Sequence, residues 1–165
     1  MKHVSSAHST SNLTKVLPGD IQPNATDLRL DKVFAIEPKL FKIDELEKHH
    51  RGSIQIHPDS NEVYRLEPGS YEVIMLNEIF VGEGEAGFVI TRSTLNRNGV
   101  YLTSGLYDSG YAGVMAAVMH VGIGPMEIQR GTRIGQYLSF EAEMLHEYDG
   151  SYGYGTADDK NYKGQ

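Results

Sequence analysis

Three short segments carry residue types suited to phosphate chemistry. In Thr91-Arg92-Ser93-Thr94-Leu95-Asn96-Arg97, two cations and neighbouring hydroxyls follow a strand-like run and open a helical turn. A guanidinium offers a planar fork of donors, hydroxyls donate singly, and free N–H groups at a helix start add positive potential. By itself the segment reads first as a capped surface turn.

In Gly105-Leu106-Tyr107-Asp108-Ser109-Gly110-Tyr111-Ala112-Gly113, one carboxylate stands between two aromatics, with flanking glycines that allow a ligand to approach closely. Asp108 could orient a sugar hydroxyl or activate water, and a solvated turn aspartate is the plain alternative. In Gly131-Thr132-Arg133-Ile134-Gly135-Gln136, Arg133 and Gln136 are further donors to phosphate.

The elements that must position these residues read as short strands. The chain has 165 residues, enough for one core, and 18 are glycine. Turn signals recur at Pro18-Gly19, Pro23-Asn24, Pro68-Gly69, residues 82–87, Asn98-Gly99, residues 122–125 and Arg130-Gly131. Between them, β-branched and aromatic residues predict strands over 27–36, 71–80, 86–91, 100–104, 113–121, 126–128 and 134–141. One helical turn is predicted over 93–97. This is an all-β pattern.

Residues 1–12 are rich in Ser, Thr and His and read as a flexible start; residues 13–147 form the domain, and residues 148–165 a Gly- and Tyr-rich tail. Residues 41–59 are charged and without a clear period, so they read as a surface insertion. Their histidines, His49, His50 and His57, match no recognised metal-ligand spacing.

Composition excludes several classes of function. A net charge of −7 argues against a nucleic-acid or anionic-membrane surface. The absence of cysteine removes disulfides, thiolate nucleophiles and Cys-ligated zinc. No apolar run reaches membrane-spanning length and residues 1–12 lack a secretion-type apolar stretch, so the expectation is a cytoplasmic protein.

From residue 21 to the C-terminus, the order of these pieces resembles the motif series of the dUTPase and dCTP deaminase superfamily. Ile21-Gln22-Pro23-Asn24-Ala25-Thr26-Asp27-Leu28-Arg29-Leu30 is similar to the deaminase-type first motif, and Leu66-Glu67-Pro68-Gly69 to the turn before the next strand pair. Arg92-Ser93-Thr94-Leu95-Asn96-Arg97 is similar to the deaminase RSSLAR. The Asp108-Ser109-Gly110-Tyr111 stretch is nearer the dUTPase third motif, and residues 131–136 match the fourth motif of both branches. Residues 150–155 resemble the Gly-rich fifth motif, and Asn161-Tyr162-Lys163-Gly164-Gln165 the KYQGQ tail of deaminases.

The resemblance implies a distorted jelly-roll-like β-barrel that forms a homotrimer, with active sites shared between subunits and closed by the C-terminal tail. It implies a deoxyuridine or deoxycytidine triphosphate as ligand, with Mg²⁺ carried on the triphosphate and no protein metal site. Arg92, Ser93, Thr94, Arg97 and Gln136 would then meet the phosphates, Asp108 would lie beneath the deoxyribose and Tyr111 beside it. Tyr154, Lys160 and Gln165 would cover the nucleotide.

Two departures matter. Where deaminases carry a water-activating Glu, the register from Asp108 arrives at Val118, an apolar position as in dUTPases; His120 lies two residues further on. The Phe of the fifth motif is replaced by Tyr152 or Tyr154. A valine cannot move protons, so hydrolysis of dUTP to dUMP and pyrophosphate, with Asp108 as general base, is the leading expectation. A dCTP deaminase, alone or bifunctional, and a nonenzymatic nucleotide-binding regulator are the alternatives.

Overall fold

The computed structural model describes residues 2–154. In chain order the strands are β1 (Lys2–Val4), β2 (Asn12–Leu13), β3 (Thr26–Ile36), β4 (Lys42–Ile43), β5 (Lys48–His49), β6 (Ser53–Ile56), β7 (Val63–Leu66), β8 (Gly69–Phe80) and β9 (Glu85–Thr91). A one-turn helix α1 (Ser93–Arg97) precedes β10 (Val100–Thr103), β11 (Ala112–Val121), β12 (Met126–Gln129) and β13 (Arg133–Glu141). The chain is nearly all β, as its alternation predicts.

Strand β11 shows why the pattern folds this way. Gly113, Met115, Ala117, Met119 and Val121 are buried, and every residue between them is half-exposed, so one face meets the core and the other a cleft. The core joins Met115 and Met119 to Leu28, Leu30, Val33, Val73, Met75 and Ile134. Antiparallel pairing runs β1-β13-β3-β8-β11-β10, with β9 on β13 and β6 on β3. The sheet curls until β9 approaches β10, where hydroxyls take the place of ladder carbonyls. The Leu102 N–H donates to Thr91 Oγ1 at 2.7 Å, and the Val89 N–H to Ser104 Oγ at 3.0 Å.

The seven strands and the helical turn predicted from sequence are all present, most within one residue of their expected bounds. Two expectations need correction. Residues 1–12 are built into the fold: β1 pairs with β13, and Ser9, Thr10 and Ser11 all donate to the buried Glu85 carboxylate. Polar donors hold this segment, so apolar content was the wrong measure of its order. The second correction concerns residues 41–59. An exposed arm, β4 and β5, does project from the surface, but β6 pairs with β3 from Val33 to Ile36 and belongs to the sheet. Four residues are too short a run to show a period in sequence.

Candidate active site

The segment 105–113 folds back along the start of β9. Tyr107 exchanges two backbone hydrogen bonds with Gly87, at 2.9 and 2.7 Å, and the Gly110 N–H reaches the Val81 carbonyl at 3.0 Å. Gly110 adopts φ +82°, a left-handed conformation that glycine takes without penalty and that completes the turn after Asp108. The Ser109 hydroxyl donates to the Glu85 carbonyl from a buried position. Ser109 anchors the turn while Asp108 is left exposed.

Two buried tyrosines brace the hairpin. The Tyr107 hydroxyl donates to the Ala116 carbonyl at 2.9 Å and accepts from the Ala116 N–H at 3.1 Å, filling the gap that the β11 bulge between Val114 and Ala116 opens in the ladder. Its burial pushes the phenol up to about 12, so it stays protonated. The Tyr111 hydroxyl donates to Val114, and its ring meets Tyr107 and Tyr148 edge-on.

These tyrosines form one wall of a cleft of about 730 Å³, a size suited to a small-molecule site. Its floor is the half-exposed face of β11, Val114, Ala116 and Val118, with Ala117 also contributing; Phe41, His50 and Arg51 reach it from the insertion. Tyr148 and Tyr152 line it from the C-terminal segment. That segment lies along its own hairpin: the Tyr148 N–H donates to Ser109, and the Tyr154 N–H to Ala112, both at 3.0 Å. The crossing demands glycine, because a Cβ on Gly113 would stand 3.1 Å from the Gly153 Cα and 2.7 Å from the Tyr111 hydroxyl. Asp108 does not itself line the cleft; it is exposed and follows Tyr107, which does, and its carboxylate has no hydrogen bond or ion pair with any described residue.

Val118 faces Glu72 of β8 directly in the antiparallel register, and both side chains line the cleft. His120 does not. Its ring nitrogens meet the Ser70 hydroxyl at 2.9 Å and the Thr103 hydroxyl at 3.0 Å, and its ring stacks on Tyr101. The carboxylate beside Val118 comes from a neighbouring strand, a relationship that only cross-strand register reveals.

A second cluster surrounds Asp27, whose side chain is wholly buried. Arg92 donates to its Oδ2, as do Gln22 at 3.1 Å and Arg133 at 3.3 Å, while Gln136 donates to Oδ1 at 3.0 Å. Beneath it, Arg29 grips Asp20 with two bonds of 2.9 and 2.7 Å and reaches the Gly131 carbonyl at 2.8 Å. The Arg29 bonds hold the Asp20 carboxyl below its usual range, against the opposing effect of burial. Asp27 thus gathers two arginines and two glutamines that remain partly open to solvent, donors of the type an anion uses, around a fixed counter-charge. Sequence reasoning placed Asp27 in a motif without giving it this part; the partners are up to 109 residues away in the chain.

The predicted residues therefore fall into groups. Arg92 and Gln136 meet on Asp27, and Ser93, Thr94 and Arg97 lie exposed on adjacent α1. Tyr111 lines the cleft with Tyr148 and Tyr152, Asp108 is exposed one residue after the lining Tyr107, and the Tyr154 N–H is tied to Ala112. Lys160 and Gln165 lie outside the described residues. The two groups are held apart by β9: the hairpin pairs at Gly87 and Arg92 follows the last residue of the strand. Five extended residues span about 17 Å. Among the described residues, no group of three or more His, Asp and Glu side chains is placed to hold a metal ion.

A family model described as dCTP deaminase-like matches residues 2–142. A probable deoxyuridine 5′-triphosphate nucleotidohydrolase of Halobacterium salinarum is 30% identical over 150 residues, covering 88% of this chain and 90% of that one. A dUMP-forming dCTP deaminase of a Nocardioides species is 29% identical over 160 residues, covering 90% and 79%. Among solved structures, the 2′-deoxycytidine 5′-triphosphate deaminase of Agrobacterium tumefaciens superposes with a TM-score of 0.63 at 15% identity, over 84% of this chain and 47% of that one. That likeness speaks for the fold, and the family match extends over nearly every described residue. The chain belongs to the dCTP deaminase-like family within the dUTPase and dCTP deaminase superfamily.

Proposed function

We propose that this protein hydrolyses dUTP to dUMP and pyrophosphate. The observation that carries the reading is Asp108, an exposed carboxylate with no described partner that directly follows Tyr107, a wall residue of a cleft whose β11 floor offers Val118 and no acid. Asp108 takes a proton from water, the water oxygen bonds to the α-phosphorus, and the bond to the bridging oxygen breaks to release pyrophosphate. Tyr111 packs beside the deoxyribose. Arg92 and Gln136, oriented by Asp27, meet the phosphates with Ser93, Thr94 and Arg97 and neutralise charge that develops on them.

About 17 Å of strand separates the two groups, so one chain does not close them on a single phosphate. The reading therefore requires a homotrimer in which Asp108 of one subunit works with Arg92 of a neighbour. Mg²⁺ fits as a passenger on the triphosphate, because Mg²⁺ keeps waters and phosphate oxygens as ligands and the described side chains build no cage. Tyr154, with Lys160 and Gln165 further along the tail, covers the bound nucleotide.

One observation favours a second reading, deamination of dCTP. Glu72, opposite Val118, brings a carboxylate into the cleft, which His120 does not line. The test incubates the protein with dUTP and, separately, dCTP in the presence of Mg²⁺, and assays dUMP, pyrophosphate and ammonia. Pyrophosphate from dUTP alone supports the hydrolase. Ammonia from dCTP that disappears in Glu72→Gln supports the deaminase, and saturable binding without turnover leaves a regulatory binding protein.

A further inference from the structure

The cleft contains a cation that no motif accounts for. Arg51 lies two residues before β6 at the end of the insertion, and its side chain lines the cleft. Among the described residues that line this cleft it is the one guanidinium or ammonium group. The chain's other phosphate-type donors lie at the far end of β9, Arg92, Arg133 and Gln136 gathered on Asp27 and Ser93, Thr94 and Arg97 on α1.

Arg51 is also held in place. Its Nε–H donates to the Lys39 carbonyl at 2.8 Å, and its guanidinium carbon stands 5.8 Å from the centre of the Phe41 ring. The segment behind it is tied to the sheet by the Glu37 N–H on the Gly52 carbonyl at 2.9 Å and by the pairing of Ser53 with Ile36. With Nε used for positioning, both Nη groups remain for a ligand, and a fork fixed in advance loses little entropy on binding. Glu72, the one carboxylate among the described lining residues, stands opposite Val118, and Arg51 is where the described lining presents a cation to an anionic ligand.

We infer that Arg51 is a substrate-binding residue, supplied by the insertion, that grips the outer phosphates of the nucleotide bound in its own chain's cleft. The inference rests on the hydrolase reading for the identity of the nucleotide. The insertion, read from sequence as a surface connection, would then add a clamp in cis to the phosphate donors contributed by the neighbouring subunit.

The test compares wild-type protein with Arg51→Ala and Arg51→Lys, measuring kcat and KM for dUTP, Kd for a non-hydrolysable dUTP analogue, and inhibition by dUMP. Losing a charged hydrogen-bond donor at a phosphate predicts a rise in KM and Kd of roughly 10- to 100-fold in Arg51→Ala, with partial recovery in Arg51→Lys. kcat should stay within about threefold, because the group acts on the outer phosphates and away from the attacked one. Inhibition by dUMP, which lacks those phosphates, should change little. Equal losses for dUMP and dUTP, or unchanged affinity for both, would overturn the inference. If the wild-type protein binds the analogue but does not cleave dUTP, the hydrolase reading alone fails, since Arg51 is then judged by Kd. Absence of binding overturns both.

Discussion

Arg92 and Asp108 stand at opposite ends of β9, Arg92 immediately after its last residue and Asp108 in the hairpin that pairs at Gly87. The first belongs to the cluster on Asp27, and the second directly follows Tyr107 in the cleft wall. On the hydrolase reading both serve one nucleotide, which a single chain does not bring within reach of the two at once.

This separation predicts complementation. Arg92→Ala and Asp108→Asn should each be inactive alone as homo-oligomers. When the two are unfolded and refolded together, random assortment pairs an intact Asp108 with a neighbour's intact Arg92 at about one site in four. Recovered dUTP hydrolysis near a quarter of the wild-type rate is the expected result. No recovery, with mixed oligomers demonstrated by mass spectrometry, would place the whole site in one subunit.

Asp108→Asn keeps the size of the side chain and removes its basicity. Hydrolysis should fall by about two to four powers of ten, while affinity for a non-hydrolysable dUTP analogue stays within a few-fold. Calorimetric titration beside single-turnover kinetics separates the two quantities. A variant that turns over normally once saturated would remove Asp108 from the chemistry.

Asp27→Asn should loosen the cluster without emptying it. Two partly exposed arginines lose their buried counter-charge, and a stability loss of about 2–3 kcal/mol in urea denaturation is expected, below the value for a fully buried pair. Because Arg92 and Gln136 lose their common acceptor, KM for dUTP should rise as well. A stability loss with unchanged KM would assign Asp27 to folding alone.

Glu85 ties the N-terminal segment to the sheet and should make stability acid-sensitive. Burial would raise its carboxyl, but bonds from Ser9 and Ser11, the Thr10 N–H and Ser139 hold it down at about 2. A carboxyl depressed in the folded state stabilises above its unfolded value and loses that contribution as pH falls. About 3 kcal/mol is present at neutral pH and fades from roughly pH 4.5 down to pH 2. Chemical denaturation from pH 7 to pH 2.5 should show this slope in the wild type and a flatter one in Glu85→Gln. Equal slopes would mean that the carboxylate is not the latch.

The strands were legible where alternation runs long enough to show a period, as in β8 and β11, and where turn residues bound it. The N-terminal segment was not, because what orders it is a set of hydroxyl and N–H donors converging on Glu85 from 74 or more positions along the chain. Strand β6 was hidden because its four residues lie beside a charged, irregular arm. The phosphate-type residues announced themselves by type and spacing. Asp27 did not, since a single buried aspartate in a motif gives no sign of which distant donors it will collect.

By itself, the sequence determined the fold class, most strand positions, the hairpin bearing Asp108 and the membership implied by its ordered motifs. These are local or serial properties, carried by alternation, turn chemistry and residue order. Only the tertiary structure decided that Arg92 and Asp108 are separated, that Glu72 faces Val118 and that Arg51 enters the cleft. Each of those depends on strand register and on how far the sheet curls, and both are set by packing among residues distant in the chain.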